Sequence, residues 1–152
     1  MNATMTIVEF LAPYFGSWNG TNDLRIMPTD DYRRSPADAT AGVTAHDFAT
    51  ISYTWAEDGK PQDGVLLLGG TAAAAQAVWA DSWHTAKTWL NLAGEVGPDG
   101  VLRLTGSYPA PEGPDWGWQI HITPAEAKIT MHNVVPGHDP YQVVELLTGT
   151  PR

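Results

Sequence analysis

Successive side chains of an extended segment point to opposite sides, so hydrophobicity with a period of two marks a half-buried strand. After Asp115 the chain follows this rule: Trp116, Trp118, Ile120 and Ile122 share one face, with Gly117, Gln119, His121 and Thr123 on the other. The next segment sets Ile129, Met131, Asn133 and Val135 against Lys128, Thr130, His132 and Val134, and the last groups Tyr141, Val143, Glu145 and Leu147. The first-named set of each is expected to face inward. Turn signals fall between such segments at Asp58-Gly59-Lys60-Pro61, Gly69-Gly70, Pro98-Asp99-Gly100, Pro111-Glu112-Gly113-Pro114 and Pro136-Gly137, the pattern of consecutive antiparallel hairpins. The clearest joins Trp89–Val96 to Val101–Tyr108 through Asp99-Gly100.

Two stretches depart from this pattern. Thr6 followed by Glu9 has the spacing of a capping box and predicts a short helix over Ile7–Phe15. Thr71–Gly94 opens on four alanines and spaces Trp79 and Trp83 four apart, as a helix would. Its Val78-Trp79 and Thr88-Trp89-Leu90 are strand-prone, and strands fit the meander better. Pro28–Ala41, rich in Pro, Asp and Arg, reads as a long loop. Strands in series without helical crossovers avoid long bare edges by closing. An all-β, up-and-down antiparallel barrel of about eight to ten strands, with one short N-terminal helix, follows as a single domain over residues 1–152.

Composition narrows the partners. A chain of 152 residues can bury a substantial core, and without cysteine it has no disulfide or thiolate chemistry. The net charge of −9 opposes phosphate backbones, so nucleic acid is not expected. The apolar run Val65–Ala80 is interrupted by Gly69, Gly70, Thr71 and Gln76, so no membrane span is expected. Met1–Thr6 carries no basic residue and does not look like a secretory signal, which makes the cytoplasm the expected location. Seven tryptophans are the oddity, and they suit either an aromatic core or a stacking surface for a flat ligand.

An ordered set of motifs resembles a known family. Gly16-Ser17-Trp18 after a short helix looks like the Gly-x-Trp signature of lipocalin-type barrels, whose Trp plugs the closed end. Together with Asp58-Gly59-Lys60-Pro61, Trp79-Ala80-Asp81-Ser82, Leu104-Thr105-Gly106 and Val143-Val144-Glu145-Leu146, it resembles the bacterial lipocalin-like domain-of-unknown-function family fifteen-seventy-nine over nearly the whole chain. Leu68-Gly69-Gly70-Thr71 stands where that family has Gly-Tyr-Asp, and the basic chain end is shortened to Thr150-Pro151-Arg152. The resemblance implies a calycin-type fold and brings no established reaction.

The most informative cluster is Trp79-x-Asp81-x-Trp83, three residues on one face of a strand. If that face lines the lumen, two indoles flank a carboxylate that either orients a ligand or moves a proton. Equally, Asp81 accepts a hydrogen bond and orders the strand. Glu145, between Val143 and Leu147, is the second acid; it pairs with Arg25 or Arg103, or partners Asp81. His46, His84, His121, His132 and His138 lack metal-site spacing; alternation places His121 and His132 on outward faces and His84 opposite Trp83, and leaves His46 open. The final strand, Tyr141–Thr148, offers no histidine to a haem iron, and no nucleophile elbow, phosphate loop or dinucleotide fingerprint occurs. No metal or cofactor is therefore expected.

The leading expectation is a barrel that binds a small hydrophobic or aromatic molecule. Tyr53, Trp79, Trp83, Trp89, Trp116 and Trp118 would form its walls, with Asp81, Asn133 and Glu145 orienting. The rival is a cofactor-independent cyclase, isomerase or dehydratase using Asp81 or Glu145 as acid or base. A third class is a packed interaction module, and a homodimer is left open.

Overall fold

The computed structural model describes residues 4–152. The capping box forms: Thr6 Oγ1 accepts from Glu9 N, and Glu9 reaches back to the Thr6 main chain. It opens α1 (Ile7–Leu11), which tightens into a 3-10 turn over Ala12–Tyr14 where Pro13 has no N–H to give. Ten antiparallel strands follow among the described residues: β1 (Gly16–Leu24), β2 (Arg33–Thr44), β3 (Phe48–Glu57), β4 (Lys60–Thr71), β5 (Ala74–Asp81), β6 (Leu90–Val96), β7 (Leu102–Tyr108), β8 (Trp116–Thr123), β9 (Lys128–Val134) and β10 (Tyr141–Pro151). Each pairs with its sequence neighbour, and β1 pairs with β10 to close an up-and-down barrel.

Thr71–Gly94 is strand, turn and strand. Ala75, Ala77, Trp79 and Asp81 face inward along β5, and the barrel offers no partner helix for an alanine-rich helical face. Three local expectations fail. Arg33–Ala41, read as loop, is strand: Ala37, Ala39 and Ala41 alternate inward, with methyl groups too small to register as a hydrophobic stripe. Pro36 is tolerated because the β2–β3 ladder begins only at Asp38. Gly69-Gly70 lies within β4 rather than at a turn; a Cβ on Gly69 would stand 2.7 Å from the Phe48 ring, so the glycine serves close approach. On β10 a bulge between Gln142 and Val144 shifts the parity. Val144, Leu146 and Thr148 are buried in consequence, while Leu147 is exposed.

The helix closes one end. Ile7, Leu11 and Tyr14 are fully buried, Ala72 N donates to the Met5 carbonyl, and the Tyr14 hydroxyl bonds Thr148 Oγ1 on β10. Trp18 is partly buried beside this plug and donates its Nε1–H to the Tyr14 carbonyl at 2.7 Å. A five-residue helix has no stability of its own; burial of its apolar face, worth roughly 1.5–3 kcal/mol per large side chain, holds it. Above it Ile51, Leu66, Leu68, Leu102, Leu104, Ile120, Ile122 and Ile129 fill the barrel. The opposite end carries the β1–β2, β3–β4, β5–β6, β7–β8 and β9–β10 connections.

Replacing Leu11 by Ala should cost roughly 3 kcal/mol in urea unfolding, the usual loss for an emptied core site. A loss below about 1 kcal/mol would show that the helix does not plug the barrel.

Candidate functional site

At the open end a carboxylate is enclosed. Asp81, the last residue of β5, is 2% exposed. Its Oδ2 accepts from the Tyr53 hydroxyl at 2.7 Å and from Trp55 Nε1 at 3.2 Å. Its Oδ1 accepts the main-chain N–H groups of Trp83 and His84 at 2.8 and 2.9 Å, an Asx-type turn that bends the chain out of the strand. Thr85 completes the turn, its Oγ1 accepting from Asp81 N and donating to the Asp81 carbonyl. Both carboxylate oxygens are thus occupied by donors from within the protein.

Tyr53 reaches Asp81 because of a glycine. Tyr53 on β3 faces Gly64 on β4, and Gly64 faces Asp81 on β5. A Cβ on Gly64 would lie 2.3 Å from the Tyr53 ring, so only a bare backbone lets the phenol lean across to the carboxylate. Trp79 Nε1 in turn donates to the Tyr53 oxygen at 2.9 Å. Burial, reinforced by the Asp81 charge, pushes the Tyr53 hydroxyl well above its ordinary pKa, so it remains a donor.

The turn carries aromatic groups over this network. Trp83 meets Trp55 edge-on at 5.8 Å. The His84 imidazole lies among four indoles, with centroids 5.6 Å from Trp55, 5.6 Å from Trp79, 4.8 Å from Trp83 and 5.5 Å from Trp118. Trp79 and Trp118 stack at 5.3 Å, 10° from parallel. Desolvation lowers the His84 pKa to about 4 against the opposing pull of Asp81, leaving the ring neutral at pH 7. Trp118 Nε1–H is buried without a hydrogen-bond partner among the described residues, a deficit that costs about 1–3 kcal/mol.

Beside these rings opens a cavity of about 410 Å³ lined by Trp79, Trp83, His84, Thr85, Thr88, Trp89, Leu90, Tyr108, Pro109 and Trp118, within the size range of small-molecule sites. It gathers four of the tryptophans expected from sequence, Trp79, Trp83, Trp89 and Trp118. Tyr53 and Asp81 lie beneath its wall rather than on it. Asn133 stands one step away, accepting from the Tyr108 hydroxyl and donating to that of Tyr141. Trp116 packs edge-on to Tyr108 outside the lining.

Glu145 is elsewhere. The β10 bulge turns it to the outer surface opposite Asp23 and Thr130, near the Arg34–Asp23 ion pair. Neither expected partner holds it: Arg25 bonds the Gln142 and Pro28 carbonyls, and Arg103 pairs with Asp99.

His84 is the site residue that sequence reasoning set on the face opposite Trp83. Strand parity cannot be carried past Asp81, where the strand ends; the available signal was an Asp opening a turn that contains Trp83-His84. His121 and His132 do lie on the outer face, their rings 4.3 Å apart. No group of three or more metal-ligating side chains occurs among the described residues, and none of their helices is long and apolar enough to cross a membrane.

Comparison with known proteins supports the barrel alone. The chain matches the crystal structure of Rv2717c from M. tuberculosis with a TM-score of 0.64 at 18% identity, covering 95% of this chain and 97% of that one. No family model matches, and no curated protein does.

Asp81→Asn would replace an acceptor oxygen by an NH2 group facing two donors, and should lower stability by roughly 2–4 kcal/mol. An unchanged urea midpoint would contradict the network. His84 titrates near 6.5 when unfolded and about 4 when folded, so the unfolded chain takes up the proton first as pH falls. Stability should therefore decline from pH 6.5 towards 4, and His84→Gln should shrink that decline. An undiminished pH dependence in the variant would show that His84 is not desolvated.

Proposed function

We propose that this protein is a lipocalin-like binding barrel that holds a small hydrophobic or aromatic molecule at its open end. The observation that carries the reading is the 410 Å³ cavity walled by four indoles and one neutral imidazole. Indoles offer large flat apolar area at little conformational cost, and stacking adds about 0.5–1.5 kcal/mol beyond burial. Such walls favour a flat guest over a flexible chain. Trp89 is 67% exposed at the rim, and a guest that covered it would remove apolar surface that otherwise faces water.

Titration with the neutral probe N-phenyl-1-naphthylamine, followed by tryptophan fluorescence, should give saturable quenching at one site. Trp89→Ala, which removes a rim side chain without disturbing the core, should raise the dissociation constant about tenfold, the equivalent of ~1.4 kcal/mol. Absence of quenching, or full affinity in the variant, would count against this site.

A further inference from the structure

The cavity wall is aromatic and carries no formal charge. Trp79, Trp83, Trp89, Trp118 and Tyr108 line it, and no Lys, Arg, Asp, Glu, Asn or Gln does. Trp79 and Trp118 stack on each other, whereas Trp83 and Trp89 are 37% and 67% exposed and leave the most indole surface free. Behind the wall, the Asp81 carboxylate is one hydrogen bond from the main chain of Trp83 and of His84. Its donors are a phenol, an indole and two amides, which solvate the charge without cancelling it. No Lys or Arg among the described residues forms an ion pair with it, and Lys87, in the same turn, is exposed and outside the lining. The charge is felt on the lining, where it pulls against the desolvation of the His84 ring.

Resting on the reading of the cavity as a ligand site, we infer that its guest is a flat aromatic cation whose charge carries no N–H, such as an N-alkylated heteroaromatic ring, held against the Trp83 and Trp89 indoles with the Asp81 carboxylate behind the wall. An indole attracts a cation through its quadrupole, more strongly as water is removed, and a chain of net charge −9 adds attraction at longer range. An aromatic anion meets the opposite field and finds no cation on the wall. A neutral ring gains the stacking alone. A protonated amine gains the charge but brings N–H groups that lose their water, and the wall has no carboxylate or carboxamide side chain to receive them. The hydroxyls of Thr85 and Thr88 are engaged within the turn. A charge spread over an alkylated ring has no such group to satisfy.

Equilibrium dialysis at pH 8 with four bicyclic probes tests this: N-methylquinolinium, 4-methylquinoline, quinoline-4-carboxylate and 1-naphthylmethylammonium. N-methylquinolinium should bind about tenfold tighter than the neutral 4-methylquinoline and tighter than the ammonium, with the carboxylate weakest. Its affinity should fall as NaCl is raised from about 50 to about 500 mM, while that of 4-methylquinoline holds. Trp89→Leu keeps apolar bulk at an exposed position and loses the aromatic face, so it should narrow the affinity ratio of N-methylquinolinium to 4-methylquinoline by about threefold. The wild-type ranking stands as a test even if the variant fails to fold. Equal or tighter binding of any of the other three probes, a cation affinity indifferent to salt, or an undiminished ratio in Trp89→Leu would overturn the inference while leaving a ligand site intact. Failure of all four probes to bind would remove the ligand site itself.

Discussion

A carboxylate taken out of water is destabilising by several kcal/mol unless donors replace its hydration, and Asp81 sits almost wholly enclosed at the end of β5. Its four donors come from two places: Tyr53 and Trp55 on β3, and the main chain of the turn that follows it. Hydrogen bonds to a charged acceptor are the stronger kind. They fix more than the acid, because the same contacts tie β3 to β5 across Gly64 and fold the turn back over the barrel mouth.

From that anchorage the aromatic arrangement follows. The phenol that donates to Asp81 accepts from Trp79, so its ring and the indole are held at once. Trp79 then offers its face to Trp118 from β8, on the far side of the opening. The turn, pinned through its amides, has its imidazole among the indoles. Rings from β3, β5, β8 and the β5–β6 turn thus converge on one space, while the helix and the aliphatic layers fill the other end. The acid has a positioning part, and the cavity beside it is walled by aromatic, uncharged side chains.

Much of the fold was legible because it rests on short-range rules. The Thr6–Glu9 spacing marked the helix, the Asp99-Gly100 turn marked its hairpin, and the alternation from Trp116 to Ile122 marked an inward face. Where reading failed, the deciding fact was non-local or too small to register. Methyl groups at Ala37, Ala39 and Ala41 carry little hydrophobic signal, yet they suit the tightly filled side of the barrel. One bulged residue in β10 reversed the faces of everything after it, which moved Glu145 from lumen to surface. That Trp79 and Asp81 share the inner face of β5 was visible from spacing, but Trp83, expected on the same strand face, lies in the turn beyond the strand end. The Tyr53 and Trp55 donors to Asp81 come from β3 and could not be inferred from β5 alone. His84 was hidden for a related reason, since a turn residue obeys the contacts of its turn and not the parity of the preceding strand.

Amide hydrogen exchange measured by NMR tests most directly whether the buried acid organises the mouth of the barrel. Bonded to the carboxylate, the main-chain N–H groups of Trp83 and His84 and the indole N–H of Trp55 should exchange far more slowly than the exposed amide of Lys87, and Asp81→Asn, which keeps only one acceptor oxygen, should remove the protection of whichever donors then face its NH2 group in a protein that remains folded. Exchange of these groups at the rate of an unstructured chain in the unaltered protein would contradict the account.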